Sequence, residues 1–417
     1  MEAGTTMERW KINLVVLWFG QFMVMGGMTM IIPFLPFYLQ DLGLQDKRGI
    51  ELWASWIFAA NFITAFFFQP FWGGISDRYG KKPMLLRSGF GMAVVIVLMG
   101  FAQSAWHLLL LRLLNGIVSG FQPAAVSLIS TNTPRKKIGY AMGILQSGAV
   151  AGTILGPMIG GLLAGWIGFR AIFYVTGSLL FFASILCIFL VKETLEPKAT
   201  TIKTKVSLFA GLSQLRKIPQ LPALFAVTFL IQFALLSPLS LIPLFVEELH
   251  GKTQLLAFFA GLVGSVTGFS NMISSPLLGK LGDRIGAHRI LFICLVGASL
   301  TFIPQVFVTN IWQLLVSRFF LGIFIGGMLP SVYSLIRNYT PNGMESRAYG
   351  FNSSTLSLGN MLGPITGGLL AGLISIRGIF ILAAVLLLFN AIWVRKTLFI
   401  MTSSEVIVST TGLPAGT

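Results

Sequence analysis

Between Gly143 and Gly161 the chain reads GILQSGAVAGTILGPMIGG, with glycine at every fourth position from Gly148 through Gly152 and Gly156 to Gly160. Residues four apart stack along one face of a helix, so the segment predicts a helix with a bare stripe. In water such a helix is poor, because each glycine costs about 1 kcal/mol relative to alanine and Pro157 removes a hydrogen bond. In a bilayer the same residues help: they let backbones approach closely, and packing replaces the hydrophobic effect as the associating force. The carbonyl freed near Pro157 must find neighbours, which predicts a kinked, tightly packed span. The pattern returns 207 residues on, as Gly350, Gly359, Gly363, Pro364, Gly367 and Gly368. Half of the chain is therefore a copy of the other half.

Composition names the solvent. Hydrophobic residues make up 55%, charged residues 10%, and there are 36 Phe. Runs of apolar residues long enough to cross a bilayer recur along the chain, which predicts an all-α polytopic membrane protein. Twelve spans are expected, near 14–37, 52–72, 84–103, 108–130, 140–163, 171–191, 221–245, 255–278, 290–308, 312–336, 348–372 and 379–394. They form two pseudo-symmetric six-helix bundles, 1–191 and 221–396. A Lys/Thr-rich cytoplasmic linker, 192–220, joins them, and a Ser/Thr/Gly-rich tail, 397–417, is expected to be disordered. Residues 1–11 show no cleavage site, so the first span is read as uncleaved.

Placing both termini in the cytoplasm leaves only Lys47, Arg48, Arg170, Lys252 and Arg377 on the far side, with Arg112 and Arg318 inside spans. That is a clear positive-inside pattern. The net charge of +16 is thus topological and calls for no nucleic acid. Cys187 and Cys294 lie in apolar segments and read as packing residues. His107, His250 and His288 have no ligand spacing, so no metal site is expected.

The loop between spans 2 and 3 runs Gly73-Gly-Ile-Ser-Asp77-Arg78-Tyr-Gly80-Lys81-Lys82-Pro83. Its copy, 206 residues on, runs Gly279-Lys-Leu-Gly-Asp283-Arg284-Ile-Gly286. Gly80 and Gly286 suit tight turns, and each acid–base pair can tie neighbouring helix ends together. Asp77 can also cap the positive N-terminus of a helix from the other half, worth about 1 kcal/mol. Arg112 returns as Arg318, and Gly116 and Gly120 as Gly322 and Gly326. The displacement changes from 206 to 207 between Gly326 and Gly350, where a one-residue difference in a loop is expected.

An arginine inside the bilayer costs at least ~2.5 kcal/mol unless paired or hydrated, although it can snorkel to the surface. Arg112, Asn115, Ser119 and Gln122 share one helical face, which reads as the wall of a water-filled path. The matching positions after Arg318 are apolar, so the first half is expected to handle protons and the second to offer a greasier substrate wall. Further cavity candidates are Gln21, Met25 and Met28 on span 1, Gln146 on span 5, Gln232 on span 7 and Asn352 on span 11. None of the 13 acids falls near the midplane. Asp41 and Glu51, at the outer ends of spans 1 and 2, are the candidate proton-coupling partners of Arg112. Two intramembrane arginines without a central acid disfavour permanently cationic substrates.

The motif Gx3DRxGKK, the arginine of span 4, the sequence Ile31-Ile-Pro33-Phe-Leu-Pro36 and the Gx8Gx3GPx2GG of span 5 resemble those of the major facilitator superfamily. The chain is similar to its twelve-span drug:proton antiporters, of the PmrA and tetracycline-efflux type. The resemblance implies two bundles rocking about a central site, with the Asp77 loop holding an outward-facing state and the span-5 glycines forming the bundle interface. It implies proton-coupled export of small amphipathic compounds by a monomer in the lipid bilayer of the inner membrane, with no cofactor beyond the proton gradient. Many drug antiporters carry a carboxylate within a span, and this chain departs from them there. No GxxxxGK[ST] loop and no nucleophile–base constellation is present, so neither ATP as direct energy source nor an enzyme is expected. Export of one metabolite (a sugar, an amino acid or a siderophore) and, further off, a non-transporting sensor are the alternatives.

Overall fold

The structure is a computed structural model and describes residues 2–31, 35–193, 213–250 and 256–399. Pro33, the linker lysines Lys198, Lys203 and Lys205, and the tail from residue 400 lie outside the described residues. Helices account for nearly all of what is described, and no strand occurs among the described residues.

In the first half, helix α1 is Glu2–Met30, α2 Leu35–Asp41, α3 Lys47–Tyr79, α4 Lys81–Gly100, α5 Ala105–Val118, α6 Phe121–Asn132 and α7 Ile138–Leu190. In the second half, α8 is Gln220–Leu236, α9 Ile242–His250, α10 Leu256–Ile285, α11 Ala287–Phe307, α12 Ile311–Tyr339 and α13 Glu345–Val394. Helices lie along each of the twelve spans read from the sequence, as one helix or as two shorter ones. Among the described residues, nine helices are long and apolar enough to cross a bilayer, and the longest of these, Glu345–Thr397, holds two expected spans. Large apolar side chains crowd the outside, with Phe67, Trp166, Phe189, Phe307 and Leu373 all more than 60% exposed. Such a surface belongs in lipid. The chain is a multi-pass membrane protein.

Local chemistry sets the helix ends, and it does so twice. Ser104 and Asn310, 206 apart, each accept a backbone N–H three residues on and start spans 4 and 10. Gly80 (φ 107°) and Gly286 (φ 102°) separate α3 from α4 and α10 from α11. α7 folds back at Gly168 (φ 76°) and α13 at Ser375 (φ 65°), again 207 apart.

Three expected spans are not one continuous helix: 14–37 divides between α1 and α2, 221–245 between α8 and α9, and 108–130 between α5 and α6. Span 4 breaks between α5 and α6, at Ser119 and Gly120 (φ 133°), so Arg112, Asn115, Ser119 and Gln122 do not share one helical face as expected. Pro123 favours the break, since it has no N–H for the Ser119 carbonyl and its ring would crowd there, but the matching Pro330 does not interrupt its helix. The two copies also change register at this point. Gly120 matches Gly326 at 206, whereas Pro123 matches Pro330 and Ser127-Leu-Ile matches Ser334-Leu-Ile at 207. The one-residue difference therefore lies inside the span, not in a loop. The longer copy, α12, runs unbroken through Pro330.

Candidate functional site

Asp77 sits in the last turn of α3. Its carboxylate accepts the backbone N–H groups of Ser346 (2.8 Å) and Arg347 (2.9 Å), at the start of α13 in the other bundle. Asp283, its copy on α10, accepts from Gly139 (2.7 Å) and Tyr140 (2.8 Å) at the start of α7. Each carboxylate thus answers two unsatisfied donors and the positive end of a helix dipole across the bundle boundary. Glycines let the backbones close to that range. A side chain at Gly73 would strike Ser346 and Arg347, one at Gly350 would strike Gln69 and Pro70, and one at Gly139 or Gly143 would strike Gly279 or Ser275.

The acid–base pairing expected within each loop is not formed. Arg78 is exposed and lies 5.2 Å from the Tyr79 ring centroid, and Arg284 is exposed. The cations that do serve this end are others. Glu345, 3% exposed, pairs with Arg337 at 3.4 Å and with Lys81 at 4.0 Å. Arg337 in turn donates to the Ser130 carbonyl at 3.1 Å. Ser346 links hydroxyls from both sides of the first bundle, Ser76 at 3.0 Å and Ser127 at 2.8 Å. Glu345, Arg337 and Ser346 escape sequence reasoning because their counterparts in the first half are Ile138, Ser130 and Gly139, so no repeat marks them. Gly80 ends α3, and Glu193 accepts the N–H groups of Lys81 and Lys82, both at 2.9 Å, capping α4 from the end of α7.

The glycine stripe has a different partner from the one expected. Gly148, Gly152, Gly156 and Gly160 face Trp18, Phe22, Gly26, Thr29 and Met30 of α1, within their own bundle. Gly359, Gly363 and Gly367 face α8 in the same way. Pro157 lies within α7, and Gly161 follows the stripe on the same helix. Of the motif glycines whose surroundings are described, Gly143 is the one that meets the other bundle. A helix offers several faces, and spacing alone does not say which neighbour takes which.

Two further contacts join the bundles away from this end. Ser354 donates to the Phe66 carbonyl, and Ile154 fills the space beside Gly268. One and two turns further along the same face of α10, Gly264 and Gly261 meet nothing within 4 Å. Among the described residues, the hydrogen bonds between the bundles gather at the end bearing the basic loops.

The predicted cavity residues are distributed over several helices. Gln122, on α6, reaches the Tyr333 hydroxyl of α12 in the other bundle at 3.4 Å. Asn115 donates to Asn61 at 2.8 Å within the first bundle, Asn352 accepts from Thr228 at 2.7 Å, and Gln232 donates to Asn360 at 3.1 Å within the second. Gln21 is 1% exposed, and its Oε1 has no partner among the described residues. Met25, beside Gly152, and Met28 and Gln146 are half-buried. Arg112 is 7% exposed, and among the described residues no ion pair reaches it. Asp41 is exposed at the end of α2, so it is not brought to Arg112. Glu51 lies on α3, and its side chain is outside the described residues. Arg318 lies over Phe302 and Phe380, at 5.9 and 5.7 Å from the ring centroids.

Two helical bundles, latched at one end by reciprocal carboxylate contacts, define a membrane transporter that opens to one side at a time. The sequence profile of the Major Facilitator Superfamily matches residues 17–269 and again 252–405, and the chain belongs to that superfamily. It is 39% identical over 384 residues to the multidrug resistance protein MdtG of Salmonella arizonae, covering 92% of this chain and 95% of that protein. It is 40% identical, with the same coverage, to MdtG of Salmonella paratyphi C. In fold it is similar to the human organic anion transporter MFSD10 (TM-score 0.78, 16% identity, 92% of this chain and 99% of that one). The fucose:proton symporter FucP of E. coli is also similar (TM-score 0.74, 15% identity, 93% and 99%).

Proposed function

We propose that the protein exports small amphipathic compounds from the cytoplasm by alternating access, driven by proton entry, as a multidrug efflux transporter. The observation that carries this is the pair of latches, Asp77 on α13 and Asp283 on α7. Both are non-covalent, both cross between bundles, and both must open for the molecule to face the other way. The relatives' description as multidrug resistance proteins supports drugs as the cargo. The basic latched end is read as cytoplasmic from the lysine and arginine distribution, with both termini there and the protein in the inner membrane.

Arg112 and Arg318 are buried without an ion pair to any described acid. A permanently cationic cargo would add charge of the same sign to that interior, so neutral, zwitterionic or anionic amphiphiles fit best. Proton coupling is assigned to the first bundle, around Arg112 and Asn115, with the carrier group among the outer acids. No resident cofactor or metal is invoked. The test is accumulation of a compound panel in expressing cells, with and without a protonophore. Export of several chemically unrelated amphiphiles that stops with the protonophore is the expected result. Export that survives the protonophore overturns proton coupling, and export of a single metabolite overturns the multidrug reading.

A further inference from the structure

The break in span 4 leaves carbonyls that no helical N–H can answer. Pro123 removes the donor that Ser119 would need, and the chain turns away before Ile117 can be bonded in the ordinary way. Both carbonyls are answered by side chains from neighbouring spans. Trp72 of α3 donates its indole N–H to the Ile117 carbonyl at 2.7 Å, and Arg87 of α4 donates to the Ser119 carbonyl at 3.2 Å. The two donors also hold each other, since the Arg87 guanidinium stacks 3.7 Å from the centroid of the Trp72 ring. Arg87 is half-buried inside the bundle.

The other copy lacks both the break and its donors. There α12 is continuous, and the counterparts of Trp72 and Arg87 are Leu278 and Ile293. The deletion explains why a break is needed. Removing one residue from a helix rotates everything beyond it by about 100°, and the chain turns at Gly120 at the point of that deletion.

Both halves of span 4 pack within the first bundle, but their hydrogen bonds to other helices go to different partners. α5 is bound into its own bundle: Thr64 donates to the Leu113 carbonyl at 2.9 Å, and Asn115 pairs with Asn61. α6 faces across the boundary, through Gln122 to Tyr333, Ser127 to Ser346 and the Ser130 carbonyl to Arg337. The break therefore lies between Arg112 and the latched end.

We infer that Arg87 and Trp72 are positioning residues that clamp this break, coupling the half-helix bearing Arg112 to the gate formed by α6, α13 and Asp77. The inference rests on the transport reading above, and it adds a joint through which a change around Arg112 reaches the latch. Without the clamp, α5 and α6 move independently.

Hydrogen exchange of the full-length protein in lipid nanodiscs tests it, comparing the parent with Arg87→Met and Trp72→Phe. Amides of residues 117–122 and 124 should exchange about tenfold faster, as expected for loss of a hydrogen bond to a charged or buried partner. The amides of Ser346 and Arg347, which touch neither side chain, should lose protection with them. Arg87→Lys keeps a donor for Ser119 and should restore part of both effects. In proteoliposomes with norfloxacin as the probe, gradient-driven efflux should fall about tenfold in Arg87→Met while counterflow exchange continues. Faster exchange confined to 117–122 and 124, or no change at all, overturns the inference. Should Arg87→Met fail to fold, Arg87→Lys and Trp72→Phe carry the same comparison. A parent that exports no compound of a wider panel overturns the transport reading, and the hydrogen-exchange result still decides the clamp.

Discussion

Ser375 is the sole non-glycine residue with positive φ among the described residues, and its φ of 65° and ψ of 167° lie in a region open essentially to glycine. Its copy, Gly168, makes the same turn without a side chain. Ser375→Gly should therefore stabilise the fold by about 1 kcal/mol, the strain relieved outweighing a 3.4 Å contact from the Gly378 N–H to the serine hydroxyl. Thermal unfolding in detergent checks this, with an unchanged or lower midpoint counting against it. Arg112 calls for a different measurement, because it is buried with no acid paired to it among the described residues. Arg112→Ala should lose gradient-driven efflux yet still bind substrate, and Arg112→Lys, which keeps the charge but not the planar fork, should retain part of the transport. Loss of binding along with transport would make Arg112 a substrate ligand.

The glycine stripe acts at the level of the element. Along α7 it lets α1 approach backbone to backbone, and along α13 its copy does the same for α8. Gly156→Leu would drive a side chain into Gly26 and Thr29, and neither is a flexible chain end that can give way. Such overpacking costs about 1–3 kcal/mol or more, so the variant should give little folded, monodisperse protein and no transport. Gly264→Leu, on the open face of α10, should fold and express as the parent does, since nothing lies within 4 Å of the added carbon. Size-exclusion profiles and efflux of the two variants, measured side by side, separate close packing from a general intolerance of bulk.

For the whole molecule, the decisive feature is that each latch joins a helix of one bundle to the first turn of a helix in the other. Asp77→Asn keeps the shape but removes the charge, and its amide presents N–H where a second N–H already points. Loss of such charge-assisted hydrogen bonds is worth about 1.5–3 kcal/mol, enough to shift the gate roughly tenfold or more toward the opposite state. Asp283→Asn should act in the same direction through α7. Labelling of Gly264→Cys by an impermeant maleimide from outside the cell should slow in both variants, on the proposed orientation. Labelling at the parental rate would remove the carboxylates from the gate.

Much of this was legible from residue order alone. The apolar runs dictate a bilayer, because little else can bury so much surface with so few charges. The 206–207 displacement dictates two like bundles, because copied patterns face copied environments. Asp77 beside a turn glycine already pointed to a helix end in the other half. Spacing could not say which neighbour receives the glycine stripe, since a face is defined on one helix but a contact needs two. Nor could it reveal that Glu345 and Arg337 reinforce a single side of the latch, for they have no copy to mark them. The broken span 4 lies between these cases. Pro123 and the lost residue are written in the sequence, but the donors that hold the break, Trp72 and Arg87, come from other helices and meet it only in three dimensions.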